Sequence, residues 1–238
     1  MPGADAGAGR TGEAAFFDVD GTLIAVNSMA AFLRHHFRAA GRPPSAYEHA
    51  LGRLRDLVQR GLPRAEVSRA YYRYYAGART RDLAAQGREW FAAELAAAVA
   101  AGHGDGPFVP GTLAALQEHR RRGALIVLVS GSFAPCLDPV AHLLEADAVL
   151  AARPEAVDGV LTGRLLATMT GDEKAVAVRE LLAARDIPAG RCHAYGDHVS
   201  DLPMLRAVGH PVVVGDDPDL TRLADAWRWP RLPGAVRT

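Results

Sequence analysis

The chain has 238 residues, of which 49% are hydrophobic and 23% charged. That is enough apolar chain to bury a core without staples, and it excludes global disorder. Its 27 basic and 27 acidic residues cancel, so the overall basic footprint of a nucleic-acid binder is missing. Two cysteines, Cys136 and Cys192, are too few for a disulfide framework or a cysteine zinc site and read as buried thiols. No apolar run reaches the roughly 18 residues of a membrane span. Residues 1–12 are small, polar and glycine-rich, lack the apolar stretch of a secretory signal and read as a disordered tail. A cytoplasmic protein without nucleic-acid or membrane partners is expected.

The first element in the chain is a short apolar run, Ala14–Phe17, which ends at an Asp and reads as a buried strand feeding a turn at Gly21. From Ser28 to about Ala101 the pattern is helical. Ser28 can cap a helix over Met29–Ala40, and Ser45 can cap a second to about Arg60. A third covers Arg64–Tyr75 and a fourth Thr80–Ala101. His35 and His36 read as polar-face residues of the first of these. Tyr71, Tyr74 and Tyr75 share one face of the third and read as packing residues. Gly102–Pro107 is the strongest linker in the chain; it reads as a plain loop or, paired with Ile24–Asn27, as a two-strand hinge.

Beyond that linker, helices and strands alternate. Helix is expected over Gly111–Arg122, Ala134–Glu145, Glu173–Ala184, Asp201–Val208 and Asp219–Ala226. Strands are expected at Ala124–Val129, Ala148–Ala151, His193–Tyr195 and Pro211–Val214, with a small hairpin at Val157–Arg164. Alternation of this kind implies an α/β fold: a Rossmann-like, doubly wound parallel sheet covered on both faces. The organisation is then a core of residues 13–24 and 106–238, with an inserted all-helical cap over 25–105.

In such a sheet, ligands bind beyond the carboxyl ends of the strands. The polar residues of this chain cluster there. Asp18-Val-Asp-Gly-Thr22 follows the first strand, Ser130-Gly-Ser132 the second, and Gly196-Asp197-His-Val-Ser-Asp201 the fourth. Lys174 opens a helix after the hairpin and is the one lysine among 27 basic residues, which suggests a need for a compact ammonium. Crowded carboxylates need a cation, and with no cysteine cluster or clear histidine ligand set it should be hard and oxygen-seeking, as Mg²⁺ is. The lone Lys, the Ser hydroxyl and the backbone N–H groups of Gly131 and Ser132 are suited to a phosphoryl group. Of two Asp residues one apart at a strand end, one can attack phosphorus while the other moves protons.

These residues, from Phe16-Phe-Asp18-Val-Asp20-Gly-Thr22-Leu through Val-Ser130-Gly and Lys174 to Gly-Asp197-x-x-x-Asp201, resemble the four motifs of the haloacid dehalogenase (HAD) superfamily phosphatases. The helical insertion directly after the first motif looks like the cap of the subfamily that contains phosphoserine phosphatase. The resemblance implies Asp18 as nucleophile and Mg²⁺ ligand, and Asp20 as general acid/base with its carbonyl on the metal. It implies Ser130 and Gly131 on the phosphoryl group, Lys174 as the partner of Asp18 and the phosphate, and Asp197 and Asp201 at the metal. Asn27 and Ser200 fall at substrate-facing positions. Phosphoserine phosphatases carry a Glu where this chain has Asn27, which weakens the case for phosphoserine itself. His198, beside Asp197, reads as solvent-exposed or substrate-contacting. The expected activity is Mg²⁺-dependent hydrolysis of a small phosphorylated alcohol, amino alcohol or sugar-like metabolite. Phosphoserine hydrolysis, phosphoryl transfer to another acceptor and silent phospho-ligand binding are the alternatives.

Overall fold

Residues 12–235 are described by a computed structural model. In chain order the first elements are β1 (Ala14–Phe17), α1 (Ser28–Ala39), α2 (Pro44–Gln59), α3 (Arg64–Tyr72) and α4 (Thr80–Ala100). A short 3-10 turn, Arg73–Tyr75, follows α3. Then come α5 (Pro110–Arg121), β2 (Leu125–Ser130), α6 (Ala134–Leu143), β3 (Ala148–Ala151), β4 (Arg153–Val157) and β5 (Val160–Ala167). The chain continues through α7 (Asp172–Ala184), β6 (His193–Gly196), α8 (Leu202–Leu205), β7 (His210–Val214), α9 (Pro218–Trp227) and β8 (Arg231–Leu232). The tail expected over residues 1–12 falls, apart from Gly12, outside the described residues.

Six strands form one parallel sheet in the order β3-β2-β1-β6-β7-β8. The reason is legible in β2, Leu-Ile-Val-Leu-Val-Ser, which is buried at every position as a strand covered on both faces must be. Side chains alternate between two cores. Ala15, Phe17, Ile126 and Leu128 join Leu116 of α5 and Leu137 of α6 on one face. Ala14, Phe16, Leu125 and Val127 join Val178 of α7, Met204 of α8 and Leu220 of α9 on the other. The fold is therefore doubly wound. Among the described residues, no helix is long and apolar enough to cross a membrane.

Helices α1 to α4 form a block between β1 and α5. The chain enters and leaves it along two adjacent connectors: Ile24 and Phe108 form an antiparallel bridge. The Ala25 N–H donates to the Pro107 carbonyl at 2.8 Å, and the Val109 N–H to the Leu23 carbonyl at 2.9 Å. The block rests on α6, where a Cβ on Gly87 would stand 1.8 Å from the Pro135 carbonyl oxygen. The β4–β5 hairpin stands outside the main sheet and braces the block. The Gly77 N–H donates to the Leu161 carbonyl, and the Leu161 N–H to that of Ala78. Its turn, Asp158-Gly159, has positive φ at both residues (50° and 74°), the requirement of a tight two-residue hairpin.

Several local expectations need correction. Asn27, not Ser28, caps α1, accepting from the Ala30 N–H at 2.8 Å; Ser28 is buried and bonded elsewhere. Ser45 caps nothing: α2 begins at Pro44, whose missing N–H suits the first helical turn. His35 and His36 lie against α4, with His36 Nδ1 2.8 Å from Gln86 Oε1. The helix expected over Asp201–Val208 is a 3-10 turn, Val199–Asp201, followed by one α turn. A further strand, β8, extends the sheet beyond Pro211–Val214. Both cysteines are free and buried, as expected.

Candidate active site

Asp18 leaves β1 at the carboxyl edge of the sheet, its N–H donating to the Tyr195 carbonyl of β6 at 3.0 Å. The chain then doubles back, with the Leu23 and Ile24 N–H groups both donating to the Val19 carbonyl. Gly21 permits this turn. Its φ is 84°, and a Cβ there would sit 2.2 Å from Asp197 Oδ2. The glycine thus lets the first motif approach the fourth. Gly196 does the same at the end of β6, where a Cβ would meet Asp201 Cβ at 2.7 Å.

Lys174 projects from the first turn of α7. That turn is fixed by Glu173, whose carboxylate accepts from the Thr168 and Met169 N–H groups at 2.7 and 2.8 Å. The Lys174 ammonium is buried and donates to Asp18 Oδ1 at 2.5 Å and Asp201 Oδ1 at 2.7 Å. Burial alone would depress its pKa, but the Asp18 and Asp201 charges outweigh burial and hold it above its ordinary value. Carboxylate oxygens of Asp18, Asp197 and Asp201 lie within 4.8 Å of one another. Burial, opposed by Lys174 and helped by Asp201, raises the Asp18 pKa to about 6. Burial, then the charges of Asp18 and Asp201, raises that of Asp197 to about 7. One ammonium does not balance these carboxylates.

Asp20 is held differently. Its Oδ2 accepts from both the N–H and the hydroxyl of Ser28, each at 3.0 Å. Its Oδ1 is buried with no hydrogen-bond partner among the described residues. Burial raises the Asp20 pKa to about 7; the Ser28 hydroxyl opposes that shift and the Asp18 charge adds to it. The Ser28 hydroxyl lies 3.0 Å from that of Ser132, whose N–H donates to Ser130 Oγ at 3.1 Å. The first residue of α1 therefore ties Asp20 to the loop after β2. In that loop the Gly131 carbonyl accepts from the Tyr72 hydroxyl at 3.0 Å.

The structure thus brings Asp18, Asp20, Lys174, Asp197, Asp201, Ser130 and Gly131 to one cavity, which Asn27 and Ser200 also line. Asn27 is exposed, and its side-chain oxygen is used in capping α1. Ser200 accepts from Arg64 at 2.5 Å, and the same guanidinium nitrogen is 3.1 Å from His198 Nδ1. Three contributions are invisible to motif reading. Ser28 looks like a helix cap, the Ser132 side chain like a turn residue, and Arg64 like any surface arginine at a helix start. Only the tertiary contacts reveal them.

Sequence comparisons identify the family. Residues 15–206 match the haloacid dehalogenase-like hydrolase family. The chain belongs to that family. It is a hydrolase with the motif set of the family's phosphatases, and its helical insertion is that of the phosphoserine-phosphatase-like branch. It is 34% identical over 231 residues to "Inhibition of morphological differentiation protein" of Streptomyces azureus, covering 92% of this chain and 77% of that protein. It is 31% identical over 224 residues to "Phosphoserine phosphatase SerB1" of Mycobacterium tuberculosis, covering 91% and 69%. Among solved structures, a protein of unknown function from Bordetella pertussis Tohama I superimposes with a TM-score of 0.79 at 25% identity. That match covers 92% of this chain and 97% of the other.

Proposed function

We propose that this enzyme hydrolyses a small-molecule phosphomonoester, with Asp18 as nucleophile and Asp20 as general acid and base. The observation that carries the proposal is the unequal treatment of the two carboxylates. Asp18 is paired with the Lys174 ammonium, whereas Asp20 is bonded through one oxygen only, leaving Oδ1 available for proton transfer. Environment separates an attacking carboxylate from a proton-carrying one.

In the first step an Asp18 oxygen bonds to phosphorus while the bond to the leaving oxygen breaks, and Asp20 delivers its proton to that oxygen. The alcohol departs and an aspartyl-phosphate remains. In the second, Asp20 takes a proton from a water whose oxygen bonds to phosphorus, the phosphorus–Asp18 bond breaks, and phosphate leaves. Lys174 holds Asp18 in place and offers its charge to the phosphoryl oxygens, beside the Ser130 hydroxyl and the Gly131 backbone.

The donor set fits Mg²⁺: clustered carboxylate oxygens with no soft ligand among them. Asp18, Asp197 and Asp201, with the Asp20 carbonyl, would hold the ion. Bound there, it supplies neutralising charge to the phosphate. Residues 25–105 act as a cap over a core of 13–24 and 106–238, and the paired connectors at Ile24 and Phe108 serve as its hinge.

The test is phosphate release from a panel of phosphomonoesters with and without Mg²⁺, beside Asp18→Asn. Release that needs Mg²⁺ and falls at least about a thousandfold in the variant is expected. Release unaffected by the substitution overturns the proposal.

A further inference from the structure

The cavity over the carboxylates measures about 1360 Å³. Ordinary small-molecule sites occupy roughly 300–1,000 Å³. The sheet-edge loops contribute its reactive groups, while α1, α2 and α3 contribute a wall of a different character.

The α2 part of that wall is set by sequence. Tyr47, Leu51, Leu54 and Val58 recur at helical spacing and share one face, a stripe about 16 Å long. Such a stripe ordinarily seals a helix against a core. On α2 it does so only in part: Tyr47 joins the core and Leu51 and Leu54 pack against it, while all four side chains also line the cavity. Only Tyr47 is buried; Leu51 and Leu54 are half-buried, and Val58 is 60% exposed. Met29 of α1 and Leu62, just beyond α2, extend the apolar lining. The charges on the same wall are unequal. Arg34, Arg55 and Arg64 line the cavity from the helical block, against one carboxylate there among the described residues, Glu48.

From this wall we infer that the substrate is a phosphomonoester with an extended apolar leaving group, its phosphate at Asp18 and its chain laid along the α2 stripe. The inference rests on the phosphatase reading above and narrows it. A sugar or amino-acid leaving group laid on Leu51, Leu54 and Val58 would lose hydration against carbon side chains that offer no hydrogen bond. On that wall an ammonium would also face three arginines and one carboxylate. An alkyl chain instead gains affinity with every methylene it buries, about fourfold each.

The experiment compares kcat/KM for ethyl, butyl and octyl phosphate, all below their micelle concentrations, with phosphoserine and p-nitrophenyl phosphate. Octyl phosphate is expected to exceed ethyl phosphate by at least about a hundredfold, and to exceed phosphoserine as well. Val58→Asn, at an exposed position that tolerates a polar side chain, is expected to lower the octyl-to-ethyl ratio severalfold, and Leu54→Asn further. Asp56→Asn, on the outer face of α2, serves as the control. A flat or falling chain-length series, phosphoserine matching octyl phosphate, or a ratio unmoved by both stripe variants overturns the inference while the phosphatase reading stands. Absence of hydrolysis of every ester, p-nitrophenyl phosphate included, overturns both.

Discussion

Ser28 shows how one side chain in an inserted helix can govern a carboxylate that belongs to the sheet. Its hydroxyl and N–H both serve Asp20 Oδ2, and the hydroxyl also reaches Ser132. Ser28→Ala keeps the N–H bond and removes the other. A hydrogen bond to a charged group contributes about 1.5–3 kcal/mol, so kcat is expected to fall roughly ten- to a hundredfold. Steady-state kinetics that show a risen KM with an unchanged kcat would contradict this role. The Asp and Lys positions that meet in the cavity were legible in the sequence because they follow the expected strands or open a helix at the sheet edge. Ser28, Ser132 and Arg64 were not, because each acquires its role from a residue distant in sequence. Asn27 takes the cap expected of Ser28 for the same reason: either can cap a helix, and only burial beside Asp20 decides between them.

Among the elements, the parallel strands were legible from their apolar runs, and most helix bounds fell within a residue or two. The failures have local causes. β8 has two residues, too few to carry a period, and α8 is a single turn with a Pro as its second residue. At the packing of α5 on β6, His119 is buried, with Nε2 2.8 Å from the Tyr195 hydroxyl and its ring 4.5 Å from that of His193. Burial, with the His193 and Arg122 charges, lowers its pKa to about 4. The folded protein then keeps His119 neutral where the unfolded chain would protonate it. Its contribution is full above about pH 6.5 and is lost as pH falls toward about 4, a loss of up to about 3 kcal/mol. Urea unfolding across that range should show stability declining with acid, and His119→Gln should flatten the decline. Equal slopes in the two proteins would contradict it.

At the scale of the whole molecule, alternation of strands and helices announced a doubly wound core, and its absence after the first strand announced the run of helices α1 to α4. How the insertion sits was not legible, because its docking depends on what a residue lacks. Gly87 brings α4 against the α6 backbone with no room for a Cβ. In an isolated helix Gly→Ala gains about 1 kcal/mol. Here the new methyl group meets a backbone carbonyl oxygen at 1.8 Å, and overpacking of this kind costs about 1–3 kcal/mol. The clash is expected to win, so Gly87→Ala should lower the melting temperature by several degrees. A higher melting temperature would mean that α4 can slide on α6.

The scarcity of lysine has a consequence for chemical labelling. Lys174 supplies the one side-chain primary amine in this chain. It is buried, paired with Asp18 and Asp201, and kept protonated by them. An acylating reagent needs a free, neutral amine, so while the site is intact the side chains offer it almost nothing to attack. Acylation of Lys174 therefore records the moments when the ion pairs separate, which makes this residue a built-in reporter of the site's integrity.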